Sequence, residues 1–182
     1  VEAPTATPSK ANWKDLVAHT PGRYIEGFSL VKDFVARQER FDANTKIVIR
    51  DRAGSEHDIA VNEPAYSLSL GGASEFDTTT IRYSYNSMST PTTVFDYDLA
   101  SRQRTVRKVQ EVPSGHNSED YVVERLNAPA SDGQLVPVSI LRHKDTPVDG
   151  SAPVLLYGYG SYGMSMSASF STNRLSLVDR GF

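Results

Sequence analysis

Apolar positions change their rhythm twice along this chain. From Arg23 to Val112 they fall in short runs that alternate with polar residues, most plainly in Ile81-Arg82-Tyr83-Ser84-Tyr85 and Val94-Phe95-Asp96-Tyr97-Asp98-Leu99. That is the period of a half-buried strand. Turn-forming residues divide the runs and predict one four-stranded antiparallel meander over Tyr24–Val31, Asp33–Phe41, Lys46–Arg52 and Glu56–Val61, with turns at Asp42-Ala43-Asn44 and Ala53-Gly54-Ser55. A second meander follows over Ala65–Leu70, Thr79–Ser87, Thr93–Leu99 and Thr105–Val112, turning at Gly71-Gly72, Thr90-Pro91 and Ala100-Ser101. Before them, Val1 to Ala11 reads as a connector, and Asn12 is expected to cap one helical turn that pins Trp13 and Leu16 or Val17 to the core.

After Val112 the pattern loosens. Pro113 to Asp120 is a polar, turn-forming stretch that reads as a linker, and Tyr121–Ala128 and Val136–His143 are expected to form a hairpin about Ser131-Asp132-Gly133. Val154 to Tyr157, a continuous apolar run between Pro153 and Gly158, is written like a strand covered on both faces. It empties into Gly158-Tyr159-Gly160-Ser161-Tyr162-Gly163, whose glycines tolerate positive φ and leave the tyrosines free to be aimed at a site. A helix from about Ser171 to Arg180 comes next, capped by Ser169 or Ser171, with Leu175 and Val178 on one face and Gly181 to end it.

Two successive four-stranded meanders of roughly 45 residues are the unit of a β-propeller, with a β-sandwich as the alternative. Since a propeller closes with about four blades or more, the propeller reading makes this a piece of a longer chain. The first residue is not Met and the last follows directly on a helix, which agrees with that expectation.

Composition narrows the function. With 182 residues, 38% apolar content, 23% charged residues and a net charge of −3, the chain has neither a basic stripe for nucleic acid nor an apolar run of the roughly 20 residues that a membrane span needs. The densest basic stretch, Arg102 to Lys108, reads as a solvated edge strand. There is no cysteine, so disulfides and thiolate metal sites are excluded, and a reducing compartment is compatible. Neither a metal nor a cofactor is expected. His19, His57, His116 and His143 lack metal-ligand spacing and read as surface histidines, and Asp96 and Asp98 as a solvated face of one strand.

The chemistry concentrates in the glycine loop. Gly158-x-Gly160-x-x-Gly163 matches the dinucleotide fingerprint literally, so a β-rich module holding a nucleotide is one reading; against it, Met164 to Ala168 intervene before any helix. A Gly-x-Ser-x-Gly nucleophile elbow does not occur. The order hairpin, buried strand, glycine loop, helix is that of the α/β-hydrolase segment supplying one oxyanion donor, and a phenol can donate where a backbone amide otherwise would. Tyr159 is placed for that role; packing of Tyr157, Tyr159 and Tyr162 is the alternative.

Leu155 to Gly163, followed by Phe170-Ser171-Thr172-Asn173-Arg174-Leu175-Ser176-Leu177-Val178-Asp179-Arg180-Gly181-Phe182, closely resembles the oligopeptidase B branch of the prolyl oligopeptidase family of serine peptidases. Tyr83 to Pro91, Gln110 to Pro113 and Asp132 to Ser139 carry the likeness upstream. The resemblance implies a seven-bladed propeller over an α/β-hydrolase domain, and cleavage of short peptides after Arg or Lys. It divides the chain into the last propeller blades with their leading connector (1–113), a linker (114–118) and the first part of the peptidase domain (119–182). It gives Tyr159 the family's oxyanion-hole side chain and Tyr162 an aromatic position lining the substrate pocket. Ser161 and Gly163 stand where prolyl-specific members carry Gly and Asn. It further implies a cytoplasmic protein whose partner is its peptide substrate, and a triad lying past Phe182, so that the segment alone is inactive. Blades parted from their ring would expose edges through which the segment self-associates.

Overall fold

The computed structural model describes residues 1–182. Eight of its strands form two meanders. β1 (Arg23–Leu30), β2 (Phe34–Phe41), β3 (Asn44–Asp51) and β4 (Glu56–Asp58) pair antiparallel in that order. So do β5 (Tyr66–Gly72), β6 (Thr80–Ser87), β7 (Thr93–Asp98) and β8 (Arg104–Val109). Alternation sets which faces meet. Ala36, Ile47 and Ile49 of the first sheet pack against Leu68, Ile81, Tyr83 and Tyr97 of the second, each contributing about 1.5–3 kcal/mol where an aliphatic or aromatic side chain is fully covered. β5 lies across β1, β2 and β3, and its free edge would bury two amides. Thr45 Oγ1 accepts from Leu68 N and Gln38 Oε1 from Leu70 N, both at 2.7 Å, so those donors stay satisfied.

Charges occupy the outer faces. Arg37 is buried and donates to both carboxylate oxygens of Glu56 at 2.8 Å and to Glu39 at 3.0 Å. Asp96 accepts from Arg82 and Arg107, each at 2.7 Å, and Asp98 accepts from Thr79 and Ser101, so these two carboxylates knit strands together. Every residue of β8 is exposed, as expected of a charged edge.

The C-terminal part contributes a hairpin, β9 (Tyr121–Pro129) with β10 (Leu135–His143), and helix α1 (Thr172–Val178), which packs against β10. Ser171 caps α1 by accepting from Arg174 N at 3.4 Å; Leu175 and Val178 are buried, and Gly181 at φ 95° ends the last turn.

Four expectations are corrected. Gly71 and Gly72 do not turn the chain but close β5 across a bulge, where a Cβ on Gly71 would sit 3.1 Å from the Arg82 carbonyl. β4 stops at Asp58, because Ile59 leaves the sheet for the core while still donating to Ile47 O at 3.0 Å. Asn12 ends a 3-10 turn, Lys10–Asn12, instead of capping a helix, and Trp13 is half exposed: the N-terminal segment folds on itself, with Glu2 paired to Lys14 and Trp13 bonded to Pro8 O. Val154 to Tyr157 form no strand and are exposed, because β9 and β10 pair only with each other and no element covers the run.

Candidate active site

The glycine loop leaves the exposed Val154–Tyr157 segment and closes on a 3-10 turn, Ser161–Gly163, held by Met164 N donating to Ser161 O at 3.1 Å. Of its three glycines only Gly163 uses the left-handed region, at φ 70°; Tyr162 enters it too, at φ 57°, ψ 30°. A bulky residue is uncommon there, and the Tyr162 side chain is 95% exposed. Tyr159 is 46% exposed, with its hydroxyl free of any protein partner. The two tyrosines share the loop but touch no acid, base or nucleophile.

The far end of the loop is fixed. Arg174 donates from α1 to Ser169 O at 2.7 Å and to Ser169 Oγ at 3.2 Å; burial holds its guanidinium below the ordinary value, with Tyr157 opposing. Phe170 N donates to Asn86 Oδ1 of β6 at 3.1 Å. His116, in the stretch read as a linker, donates from Nε2 to Ser89 O at 2.6 Å, stacks on Tyr121 at 5.3 Å and meets Phe170 edge-on at 5.1 Å. The Tyr121 hydroxyl donates to Asp179 at 2.7 Å, and burial together with that bond pushes its pKa up to about 12.

These contacts revise the histidine reading. His57 bonds the Tyr97 hydroxyl at 3.0 Å, His116 joins two parts of the chain, and His143 lies edge-on to Tyr121, so three of the four are half-buried packing groups and only His19 is a surface residue. The signal missed in the sequence was the aromatic company that Tyr121 and Phe170 supply from distant positions. α1 begins at Thr172, well past Gly163, so no helix N-terminus meets the glycines as a phosphate cradle requires. No group of three His, Asp or Glu side chains is placed to hold a metal ion. No helix is long and apolar enough to cross a membrane.

The model of the prolyl oligopeptidase N-terminal β-propeller domain matches residues 1–110, the span of both meanders. The chain belongs to the prolyl oligopeptidase family. The two sheets are therefore propeller blades, and the sandwich alternative falls. Among this family's members, the chain is 42% identical to dipeptidyl aminopeptidase BI of Pseudoxanthomonas mexicana over 182 residues, which is 100% of this chain and 25% of that protein. Among solved structures it resembles oligopeptidase B from Leishmania major with a TM-score of 0.87 and 32% identity, covering 98% of this chain and 26% of that one. It also resembles oligopeptidase B from Trypanosoma brucei, in a closed form with covalently bound antipain, with a TM-score of 0.88 and 28% identity, covering 97% and 26%. The chain thus spans about a quarter of the length of these prolyl oligopeptidase relatives.

Proposed function

We propose that this chain is part of a serine peptidase of the prolyl oligopeptidase family that hydrolyses short peptides after Arg or Lys, in which Tyr159 donates a hydrogen bond to the tetrahedral oxyanion. Residues 1–113 are the C-terminal blades and their leading connector, 114–118 the joint, and 119–182 the first part of the α/β-hydrolase domain. The carrying observation is a family match over the blades followed, at the other end of the chain, by an outward-facing Tyr-Gly-Tyr-Gly loop whose second phenol has no partner of its own. Tyr162, thrown clear of the loop, lines the pocket for the residue before the scissile bond. The nucleophile and its base belong to residues past Phe182, so the segment alone is inactive. The proposal includes a cytoplasmic location, which fractionation of the source cells tests.

Expressed at full length, the protein should cleave N-blocked fluorogenic peptides after Arg or Lys and lose activity to a serine-directed acylating reagent. Indifference to that reagent would overturn the assignment. A second reading has its own support: the 42% identical relative is a dipeptidyl aminopeptidase. Cleavage of peptides with a free N-terminus, with blocked ones left intact, would favour it.

A further inference from the structure

The β6–β7 turn is unusually well tied down. Ser87 Oγ accepts from Ser89 N at 3.2 Å and Thr90 N at 2.9 Å, while the Glu63 carboxylate accepts from Thr90 Oγ1 at 2.7 Å, from Ser89 Oγ at 3.3 Å and from the Tyr85 hydroxyl. Ser87 and Ser89 are both buried. The Ser89 carbonyl that leaves this turn is therefore a fixed acceptor, and a carbonyl cannot donate, so His116 Nε2 carries the proton that joins them. His116 in turn sits between Tyr121 and Phe170, and Asn86, three residues before Ser89 in the chain, accepts from Phe170 N. Phe170 follows the glycine loop after the six residues Met164 to Ser169. Between Val154 and Ala168 the loop's own backbone bonds are few, Met164 to Ser161 among them, and its downstream end is tied to α1 at Ser169 and to the blade at Phe170.

We propose that His116 is a positioning residue: it couples the rigid β6–β7 turn of the propeller blade to the loop that carries Tyr159, so that the blade sets where the phenol points. This rests on the oxyanion role given to Tyr159. Misplacing a catalytic group by about 1 Å can cost roughly a hundredfold, so loosening one of two anchors has a kinetic consequence even though His116 touches no substrate.

The test uses the full-length enzyme. His116→Phe keeps the ring stack and removes the donor; Asn86→Ala removes the second anchor; His116→Gln restores a donor to Ser89 without the ring. His116→Phe and Asn86→Ala should each lower kcat by about tenfold with KM nearly unchanged, and should speed hydrogen exchange at the bonded amides of Met164, Ser169 and Phe170, with His116→Gln regaining part of the loss. On a Tyr159→Phe background, His116→Phe should cost nothing further, because the hydroxyl whose position it sets is gone. Unchanged turnover and exchange in His116→Phe overturn the coupling. An equal loss on both backgrounds also overturns it, since His116 would then act on the fold at large. Wild-type turnover in Tyr159→Phe alone overturns the Tyr159 role instead, and the two failures are thereby separated. Should His116→Phe fail to fold, Asn86→Ala with the same exchange measurement decides.

Discussion

Tyr83 is 1% exposed, stacks on Phe95 at 5.2 Å, and has a hydroxyl with no hydrogen-bond partner. Burial raises its pKa; the Arg104 guanidinium stands near enough to oppose that rise, but not in hydrogen-bonding geometry. An unmade buried hydrogen bond contributes nothing and leaves a desolvation cost, so Tyr83→Phe should leave stability unchanged or raise it by up to about 1 kcal/mol, whereas Tyr83→Ala should cost about 3–5 kcal/mol. Unfolding midpoints compare the two, and a clear loss in the Phe variant would mean the hydroxyl is bonded after all. Tyr121 differs because its hydroxyl is paired. With its pKa raised to about 12, its folding contribution is fully present below the ordinary tyrosine value of about 10 and is lost as pH rises through about 12. Burial also raises Tyr66, Tyr83, Tyr85 and Tyr97, so alkaline spectroscopic titration should show a late-ionising group of tyrosines, of which one, Tyr121, moves earlier in Asp179→Asn.

At the scale of elements, the β2–β3 turn and the Arg37 cluster carry opposite risks. The two-residue turn places both Asp42 (φ 50°) and Ala43 (φ 58°) in the left-handed region that such hairpins demand. Ala43→Gly should therefore raise the unfolding midpoint, by the equivalent of up to about 1 kcal/mol, and a loss would contradict that account of the turn. Arg37→Ala leaves the buried Glu39 only its 4.0 Å contact with Arg23, while Glu56, 33% exposed, keeps Arg50 at 3.2 Å; breaking a fully buried pair costs about 3–5 kcal/mol, so the loss here should fall at or below the lower end of that range. These strands were legible in the sequence because alternation and turn residues act locally: Asp42-Ala43 and Asp132-Gly133 marked their hairpins, and Ile81, Tyr83 and Tyr97 their buried face. Val154 to Tyr157 were not, since an apolar run says only that something must cover it. Where the covering element comes from a distant part of the fold, periodicity cannot say. The loop was found by its glycines; the joint at its end was missed because His116, Tyr121 and Phe170 meet only in three dimensions.

At the scale of the molecule, ion pairs and exposed apolar surface decide behaviour in solution. The Arg37 hydrogen bond depresses Glu56, and the Arg82 hydrogen bond depresses Asp96. Carboxylates with lowered pKa contribute stability that is present above the ordinary value of about 4 and lost as pH falls through the folded value, so an acid transition should begin only below about pH 4. Exposed Tyr24, Phe28 and Leu30 on β1, together with Val154 to Tyr157, predict that the 182-residue segment by itself associates; a monodisperse monomer by sedimentation would contradict this. The proposed function converges on one phenol, that of Tyr159. The most direct test is the turnover of Tyr159→Phe in the full-length enzyme on an N-blocked peptide substrate. Loss of one oxyanion donor should lower kcat by about 10² to 10³ with the fold intact, and wild-type turnover would contradict the account.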